Sequence, residues 1–292
     1  MCSDNNQPAD GLTTTETPDA YLAQYDGFEE QWLSTSALSC LMSCGVCFQK
    51  KYIERQPECV HVRQCAGLGA HKGRQVNLTS RVDEEEYLPV AEVLDAARDD
   101  VNHRMTTSDY AETSEFEGMG ADQARGVAVD FAVEMAETDY HEFQLSLVPE
   151  AVELSIAVRF PGLSRVIVGT VDDLMPDKGI VDLKTGTRAY GEARAKNGMG
   201  LTTYGMLVFA KYGIVPPYYE IQNVVRAKTK CTTNVYQVSK TKEELERQLR
   251  RFLRACEVID SGMFIPCNPE DWKCSPEWCA YWQTCEFGGG RL

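Results

Sequence analysis

The most informative stretch of the sequence is GTVDDLMPDKGIVDLKTG, residues 169–186. Two β-rich segments flank the turn signal MPDKG, which predicts an antiparallel hairpin. On the second segment, Asp182 and Lys184 lie two residues apart and therefore point to the same face of a strand. Opposite charges in an otherwise apolar strand need a reason, because burying a charge is costly unless the charge is paired.

A short hairpin would bring Asp172 of the first strand beside Asp182. Two converging carboxylates repel each other and are costly to bury without a cation, and hard oxygen ligands of this kind suit Mg²⁺ or Mn²⁺. Lys184 could then orient or deprotonate a water and stabilise the charge that develops on a phosphate. The residues therefore indicate phosphodiester hydrolysis. The alternative is a plain ion pair between Asp182 and Lys184 on an exposed strand.

The composition is that of a globular protein, with 43% hydrophobic and 25% charged residues among 292. We find no run of eighteen apolar residues, so we expect no membrane span. Residues 1–30 are acidic and polar and lack the basic start and apolar stretch of a signal peptide. We therefore expect a flexible acidic tail and a cytoplasmic protein.

The charge is unevenly distributed. The net charge of −15 argues at first against a nucleic-acid partner. Residues 83–142, however, hold 18 acidic and 3 basic residues, so the remainder balances at 26 of each sign. We therefore expect an acidic helical insert at about 83–143 that is turned away from any polyanion, and a DNA partner stays open.

The remaining pattern predicts a mixed α/β domain with helices packed around a central sheet. Within residues 31–55 we expect a helix after a Ser/Thr cap near Ser34 to Ser36, and we also expect a helix over 197–213 and strands within 217–239. Thr241 and Glu244 form a capping box that predicts a helix over 241–259. Its basic residues are either a phosphate track or a solvated face.

The quoted stretch resembles the core of the PD-(D/E)XK nuclease superfamily, in its RecB-like branch with the signature G-x-x-D…D-x-K-T-G. The resemblance implies a restriction-endonuclease-like core, a central mixed sheet flanked by helices, in a single domain over 31–292. It implies that Asp172 and Asp182 are metal ligands and Lys184 the catalytic lysine. It selects Asp172 over Asp173 because the family's Asp lies three residues after the Gly, and strand alternation also puts Asp173 on the opposite face.

Two further motifs of the branch have counterparts. GLGAHKGR matches the G-x-x-x-H setting of a helix, which implies that His71 is a metal ligand, together with the backbone carbonyl of Leu183. The branch also carries Q-x-x-x-Y after the catalytic strand, and here Tyr204 is present while Gly200 takes the Gln position. Tyr204 is therefore either close to the scissile strand or a core aromatic.

Of the twelve cysteines, three lie in KCSPEWCAYWQTC within a Cys-rich tail at 262–287. In some RecB-like nucleases, such as CRISPR-associated exonucleases, AddB nuclease domains and phage relatives, one N-terminal Cys joins three C-terminal ones around a 4Fe-4S cluster. The resemblance implies a cysteine-ligated iron–sulfur subdomain formed by both chain ends, with Cys44, Cys274, Cys279 and Cys285 as ligands. Gly45 replaces the usual Pro, and Cys40, Cys47 and Cys267 are close enough to substitute. A zinc site or plain burial stays open.

The resemblance therefore implies a metal-dependent DNA exonuclease that acts at DNA ends, on single strands. Its setting would be recombination, repair or CRISPR-type spacer processing in a bacterial or phage-infected cell. A protein partner from such a system and an oligomeric state are both open. The alternative from another class is an inactive, nuclease-derived module that binds DNA or protein, which Gly200 and the acidic insert favour.

Overall fold

The computed structural model describes residues 32–107, 118–228 and 230–288. The expected acidic tail at 1–30 and the middle of the acidic insert at 108–117 lie outside these described residues. Within the described part of the chain, no helix is long and apolar enough to cross a membrane.

Six strands and eight α-helices make up the described fold. In chain order they are β1 (Trp32–Ser34), α1 (Thr35–Ser43), α2 (Gly45–Phe48), α3 (Val62–Asp83), α4 (Val90–Thr107), α5 (Ala121–Glu142), β2 (Ala151–Val158), β3 (Val166–Leu174), β4 (Ile180–Gly186), α6 (Glu192–Asn197), α7 (Met199–Tyr212), β5 (Tyr219–Arg226), β6 (Cys231–Val238) and α8 (Lys242–Ser261). A π-helical turn, Gln49–Ile53, continues α2, and a 3₁₀ turn, Gln144–Ser146, follows α5.

The six strands form one mixed sheet with β3 at its centre. One edge of β3 pairs with β2 in antiparallel fashion. The other edge is shared, because the start of β3 pairs with β1 in parallel and its end pairs with β4 in antiparallel fashion. Residues 169–172 of β3 pair with neither β1 nor β4, so the sheet forks there. β5 extends β4 in parallel, and β6 completes the sheet.

Helices cover both faces of the sheet, which confirms the expected mixed α/β architecture. The main core packs α1, α7 and α8 against one face, with Leu38, Leu207 and Phe252 among its buried side chains. A second core packs α3, α4 and α5 against the other face, where Leu183 and Val224 of the sheet meet them. The candidate site lies between these layers, at the fork.

The acidic region forms part of this second core. α4 and α5 pack on α3 mainly through small side chains, such as Ala97 and Ala132. A Cβ added at Gly69 of α3 would lie 2.6 Å from Val101 and 2.8 Å from the carbonyl oxygen of Ala97, so glycine permits the close helix contact. The acidic residues lie mostly on the outer faces of α4 and α5, which is why a strongly acidic sequence still packs as helices.

Several predicted elements are confirmed, and one strand was not predicted. The hairpin of β3 and β4 and the capping box of Thr241 and Glu244 are both present. The helix expected after a cap near Ser34 to Ser36 begins at Thr35, and the residues before it, Trp32–Ser34, pair as a strand with β3. The side chain of Ser34 then caps α1 by accepting a hydrogen bond from the backbone of Ala37 at 3.2 Å.

Candidate active site

The fork in the sheet brings acidic side chains together from three strands. Glu153 of β2 stands opposite Asp172 of β3, between the pairs Val152–Asp173 and Leu154–Val171. Asp182 of β4 faces the same opening, since the β3–β4 register continued by one residue sets it against Asp172. Antiparallel partners project to the same face of the sheet, so the three carboxylates share one side.

A histidine from α3 completes this cluster. The Nδ1 atom of His71 lies 3.5 Å from Oδ2 of Asp172. Ligand atoms of His71, Glu153 and Asp172 all lie within 4.8 Å of one another. The backbone N–H of Leu183 donates a 2.9 Å hydrogen bond to Oδ2 of Asp172 and so orients that carboxylate. Glu153 also adopts a left-handed backbone conformation, φ 49°, which is strained for a residue with a side chain.

Asp182 and Lys184 lie beside this group rather than within it. Asp182 is only 1% exposed, and its Oδ2 contacts the Nζ atom of Lys184. Its Oδ1 is buried and has no hydrogen-bond partner among the described residues. Lys184 also donates a 3.3 Å hydrogen bond to the carbonyl oxygen of Leu183. The ion pair of the alternative interpretation is therefore present, but Asp182 is buried rather than exposed, and one of its carboxylate oxygens has no hydrogen-bond partner among the described residues.

Burial sets the protonation of the cluster. It lowers the pKa of His71 to about 4, and the charge of Lys184 acts in the same direction. Burial, together with the negative charge of Asp172, raises the pKa of Glu153 to about 7. It also raises the pKa of Asp172, and it raises the pKa of Asp182 to about 6 even though Lys184 opposes the shift. The imidazole is therefore neutral at neutral pH, with a lone pair available to a metal.

These residues fit a divalent cation. Ionised carboxylates repel one another when they are crowded in a partly buried site, and a cation would relieve that repulsion. The unpaired Oδ1 of Asp182 and the neutral imidazole of His71 are both free to ligate. Oxygen ligands with one imidazole suit Mg²⁺ or Mn²⁺.

Two glycines of the sequence motifs permit close packing at the site. A Cβ added at Gly169 would lie 2.7 Å from Leu207 of α7, so this glycine lets the helix approach β3 at the fork. A Cβ added at Gly67 would lie 2.7 Å from Oγ1 of Thr185 on β4. That close approach holds α3, and with it His71, against the strand that carries Asp182.

Tyr204 lies on α7 next to the same opening. A Cβ added at Gly169 would lie 3.4 Å from the ring of Tyr204. Burial raises the pKa of its hydroxyl, and Asp182 adds to the shift. Gly200, one turn earlier on α7, has no atom within 4 Å of an added Cβ. The space that the Gln of the RecB-like motif would fill is therefore open, and no other described side chain packs there.

A buried polar network lies on the opposite side of β3 from Asp172. Arg74 of α3 is 2% exposed and donates 2.8 Å hydrogen bonds to Asp173, Asp139 and Gln222. Asp173 points away from Asp172, as strand alternation predicts. The network therefore joins α3 and α5 to β3 and β5, and it fixes the strand on which Asp172 lies.

Glu153 and Arg74 were missed in the sequence. Glu153 interrupts the apolar strand AVELSIAV in the same way that Asp182 interrupts its own strand, so the signal was present. Arg74 carried no comparable signal, because its partners Asp139 and Gln222 lie 65 and 148 residues away in the chain. Only folding brings these three side chains together.

The cysteines gather at a second location. A cavity of about 350 Å³ lies between α1, α2 and the C-terminal segment. Seven cysteines line it, namely Cys40, Cys44, Cys47, Cys267, Cys274, Cys279 and Cys285, together with Trp272, Trp278 and Trp282. The four expected ligands and the three substitutes therefore surround one space.

Contacts between the two chain ends hold this cavity together. The backbone N–H groups of Cys47 and Cys267 each donate to Sγ of Cys44 at 3.4 Å. Gly45 donates a 2.8 Å hydrogen bond to the carbonyl oxygen of Ile265, and a Cβ added at Gly45 would lie 2.7 Å from the backbone of the same residue. Proline has no N–H and carries a ring, so the departure from the usual Pro follows from this contact.

Comparison with known proteins extends these observations. The chain has a fold like that of a protein from Eubacterium rectale that is provisionally named an exonuclease, with a TM-score of 0.51 and 13% identity over 88% of this chain and 92% of that one. A second solved structure, of a protein named SSO0001, covers 83% of this chain and 95% of its own at 13% identity, but its TM-score of 0.30 is too low to support an argument. No curated protein matches the chain.

The family comparison is decisive. Residues 32–286 match the PD-(D/E)XK nuclease superfamily, whose members use divalent metals and act on DNA. The matched range includes both sides of the fork and the thiol cavity. The chain therefore belongs to the PD-(D/E)XK nuclease superfamily.

Proposed function

We propose that the protein is a divalent-metal-dependent deoxyribonuclease that hydrolyses phosphodiester bonds from DNA ends. The observation that carries the proposal is the convergence of ligand atoms of His71, Glu153 and Asp172 within 4.8 Å, beside the buried pair of Asp182 and Lys184. A structural ion pair would explain Lys184 and Asp182 alone. It would not explain two more carboxylates and a neutral imidazole at the same opening.

The residues divide into ligands and a cationic group. His71, Glu153, Asp172, Asp182 and the carbonyl oxygen of Leu183 would hold one or two ions. When bound, such an ion supplies Lewis acidity toward a phosphoryl oxygen and lowers the pKa of water. The hydrogen bond from the Leu183 backbone orients the carboxylate of Asp172.

Lys184 acts as a cation toward the phosphate. Asp182 and Asp172 raise its pKa against the effect of burial, so the ammonium stays protonated at neutral pH. A protonated lysine donates hydrogen bonds to the attacking water and to a developing phosphate oxyanion, and it does not remove a proton. Tyr204, next to the same opening, would hydrogen-bond or stack near the scissile strand.

The exonuclease mode comes from the RecB-like resemblance and agrees with the provisional name of the similarly folded protein. Single-stranded DNA ends are the proposed substrate, in recombination, repair or CRISPR-type processing in a bacterial or phage-infected cell, where the enzyme would act in the cytoplasm. A protein partner from such a system and an oligomeric assembly are compatible with the proposal and are not required by it.

The test is cleavage of single-stranded DNA labelled at either end, with Mn²⁺ or Mg²⁺ present. We expect stepwise shortening by the native protein and none by Asp182→Ala or Lys184→Ala. The matched control is Asp122→Ala, since that side chain is 90% exposed and pairs with Arg125 of the same helix turn. DNA binding without metal-dependent cleavage by the native protein would refute the enzyme and favour the inactive binding module.

We further propose that the thiol cavity holds a 4Fe-4S cluster, with Cys44, Cys274, Cys279 and Cys285 as ligands. Cluster sulfurs are tuned by hydrogen bonds, and Sγ of Cys44 accepts two from backbone N–H groups. A cluster here would tie residue 44 to the segment 274–285 and so stabilise the contact between the chain ends.

The thiols of the two chain ends lie in close contact. Cys47 makes side-chain hydrogen bonds with Cys40 and Cys279, and Cys267 makes them with Cys44 and Cys274. Each group contains thiols from both ends, so a metal centre here would join them. Zinc, which thiolates bind tetrahedrally, is the alternative that the next experiment separates from the cluster.

Anaerobic purification followed by an absorption spectrum and iron, sulfide and zinc assays tests the cluster. We expect a brown protein with about four irons per chain, as a cubane needs, and loss of iron in Cys44→Ser. Cys59→Ser is the matched control, because Cys59 is an exposed thiol outside the cavity. A colourless protein with one zinc would refute the cluster and leave the nuclease proposal intact.

A further inference from the structure

A groove of about 600 Å³ runs between α1, α8 and the segment 261–265, apart from both sites described above. Its floor is apolar, with Leu38 and Leu41 from α1 and Val258 from α8. Two methionines at its margin, Met42 and Met263, are 61% and 69% exposed. Large apolar side chains that are exposed together mark interaction surfaces.

Four arginines line one side of this groove. Arg247, Arg250, Arg251 and Arg254 follow one another on α8 at the spacing i, i+3, i+4 and i+7, so they form a single stripe. All four are exposed. Within the described part of the chain, only Arg254 has a carboxylate at salt-bridge distance, that of Glu257 at 2.7 Å. The groove is therefore suited to an anionic occupant that also carries apolar side chains.

The lining favours a peptide over a nucleic acid. Proteins that bind single-stranded DNA combine a basic track with aromatic side chains on which the bases stack. None of the described residues that line this groove is aromatic. A floor of leucine, methionine and valine instead resembles the grooves that accept one face of an amphipathic helix, and methionine adapts well to such ligands. The expected occupant is therefore an acidic amphipathic peptide.

The chain itself carries such a segment. Residues 1–31 hold seven acidic side chains and no basic one. The part DAYLAQYDGFEEQ, residues 19–31, has Tyr21, Tyr25 and Phe28 at the spacing i, i+4 and i+7, which gives one apolar face on a helix. The segment leads directly into β1 and α1, and α1 forms one wall of the groove. An extended chain covers about 3.3 Å per residue, so Glu29 and Glu30 stay within about 10 Å of Trp32 and Asp26 within about 20 Å.

We propose that the acidic segment 19–31 docks in the arginine groove of the same chain. Its apolar side chains would cover the groove floor, and Asp26, Glu29 and Glu30 would pair with the arginine stripe. Because the segment is tethered beside the groove, its effective concentration there is high, of the order of mM for a short linker. This inference does not depend on the nuclease activity.

Methionine oxidation in the full-length chain tests the docking. Hydrogen peroxide would be applied to the native protein and to a variant in which Tyr21, Tyr25 and Phe28 are all changed to serine, and the oxidised peptides would be measured by mass spectrometry. We expect Met42 and Met263 to oxidise at least about fivefold faster in the serine variant, the ratio for a docking free energy of about 1 kcal/mol. Equal rates in the two proteins would overturn the proposal.

Two controls separate docking from a change in folding. Met206 is fully buried in the main core, so its oxidation must stay slow in every variant. Exchanging the charges tests the pairing directly. Arg250→Glu with Arg251→Glu should expose the groove methionines, whereas Arg98→Glu on the distant α4 should not. Adding Glu29→Arg and Glu30→Arg to the groove variant should restore protection, and failure to restore it would overturn the pairing.

Other occupants give different results. Protection of Met263 that rises with protein concentration would mean that the segment docks on a second copy, and it would overturn docking within one chain. A thymidine oligonucleotide that protects Met263 in the serine variant, where a synthetic peptide of residues 17–31 does not, would make the groove a nucleic-acid site. That outcome would also overturn the proposal.

Discussion

Replacing Arg74 by methionine should destabilise the protein severely. The guanidinium is 2% exposed and bonds to Asp139, Asp173 and Gln222, whose side chains are themselves buried. Methionine fills much of the space but donates no hydrogen bond. Two carboxylates and an amide oxygen would then be left without their shared partner.

The magnitude follows from this loss. Removing one partner from a buried ion pair costs about 3–5 kcal/mol, because the remaining charge stays desolvated. Arg74 serves two carboxylates, so we expect a decrease in the free energy of unfolding at or above the upper end of that range at pH 8. Total stabilities of about 5–15 kcal/mol are typical, so the variant should be close to unfolding.

The effect should depend on pH in a defined direction. With Arg74 present, burial already raises the pKa of Asp173 to about 6, above its unfolded value of about 3.9. Without the guanidinium, which lowers that pKa, the value rises further. The folded variant therefore binds more protons than the unfolded chain between about pH 4 and pH 7, and its stability increases as the pH falls through that window.

Urea unfolding at pH 8 and at pH 5.5 measures both quantities. We expect the difference between the native protein and Arg74→Met to be smaller at pH 5.5. Arg98→Met is the control, because Arg98 pairs with Asp95 on an exposed helix surface, where such a pair contributes about 0.3–0.5 kcal/mol. A loss below about 1 kcal/mol for Arg74→Met, or a loss that is the same at both pH values, would refute this account of a buried charge network.

Three further predictions follow from single features of the fold. Divalent metal should bind more weakly as the pH falls below about 7, because Glu153 and Asp182 have raised pKa values of about 7 and about 6 and protons then compete with the cation. Calorimetry should detect the release of protons when the metal binds. A metal affinity that does not change with pH would contradict this prediction. Gly200→Gln should fit without a clash and should raise the free energy of unfolding by up to about 1 kcal/mol, because glutamine has a higher helix propensity than glycine. Its nuclease activity should exceed that of Gly200→Ala. Equal activity in the two variants would show that the Gln side chain is unimportant. Tyr219→Phe should raise the free energy of unfolding by about 1 kcal/mol, because the buried hydroxyl of Tyr219 has no hydrogen-bond partner among the described residues. A clear loss of stability in thermal unfolding would show instead that the hydroxyl is paired.

Local sequence pattern was enough to predict the hairpin and to assign residues to its two faces. Alternation along a strand separated Asp172 from Asp173, and the turn MPDKG set the register that faces Asp172 toward Asp182. These are local consequences of strand geometry, so they can be derived from spacing alone. The charges within the strand indicated phosphodiester chemistry for a second reason. Carboxylates that converge in a buried position need a cation, and a metal ion beside a lysine suits the hydrolysis of a phosphodiester.

Other features of the fold depend on contacts between distant segments of the chain and appear only in the tertiary structure. The strand Trp32–Ser34 exists because β3 offers it a pairing edge 134 residues later, as Trp32 pairs with Val166. The three-glycine helix α3 has poor intrinsic propensity, and packing against α4, α5 and β4 overrides it. Glu153 joins the site only through the register of β2 with β3.

The thiol cavity and the arginine groove show the same division. The sequence supplied seven cysteines at the two ends of the chain and an arginine stripe on one helix. Folding set Gly45 against Ile265, and so brought the two sets of cysteines around one space and placed α1 beside α8. Spacing along the chain governs which side chains share a face, but contacts between faces depend on packing, which no local pattern contains.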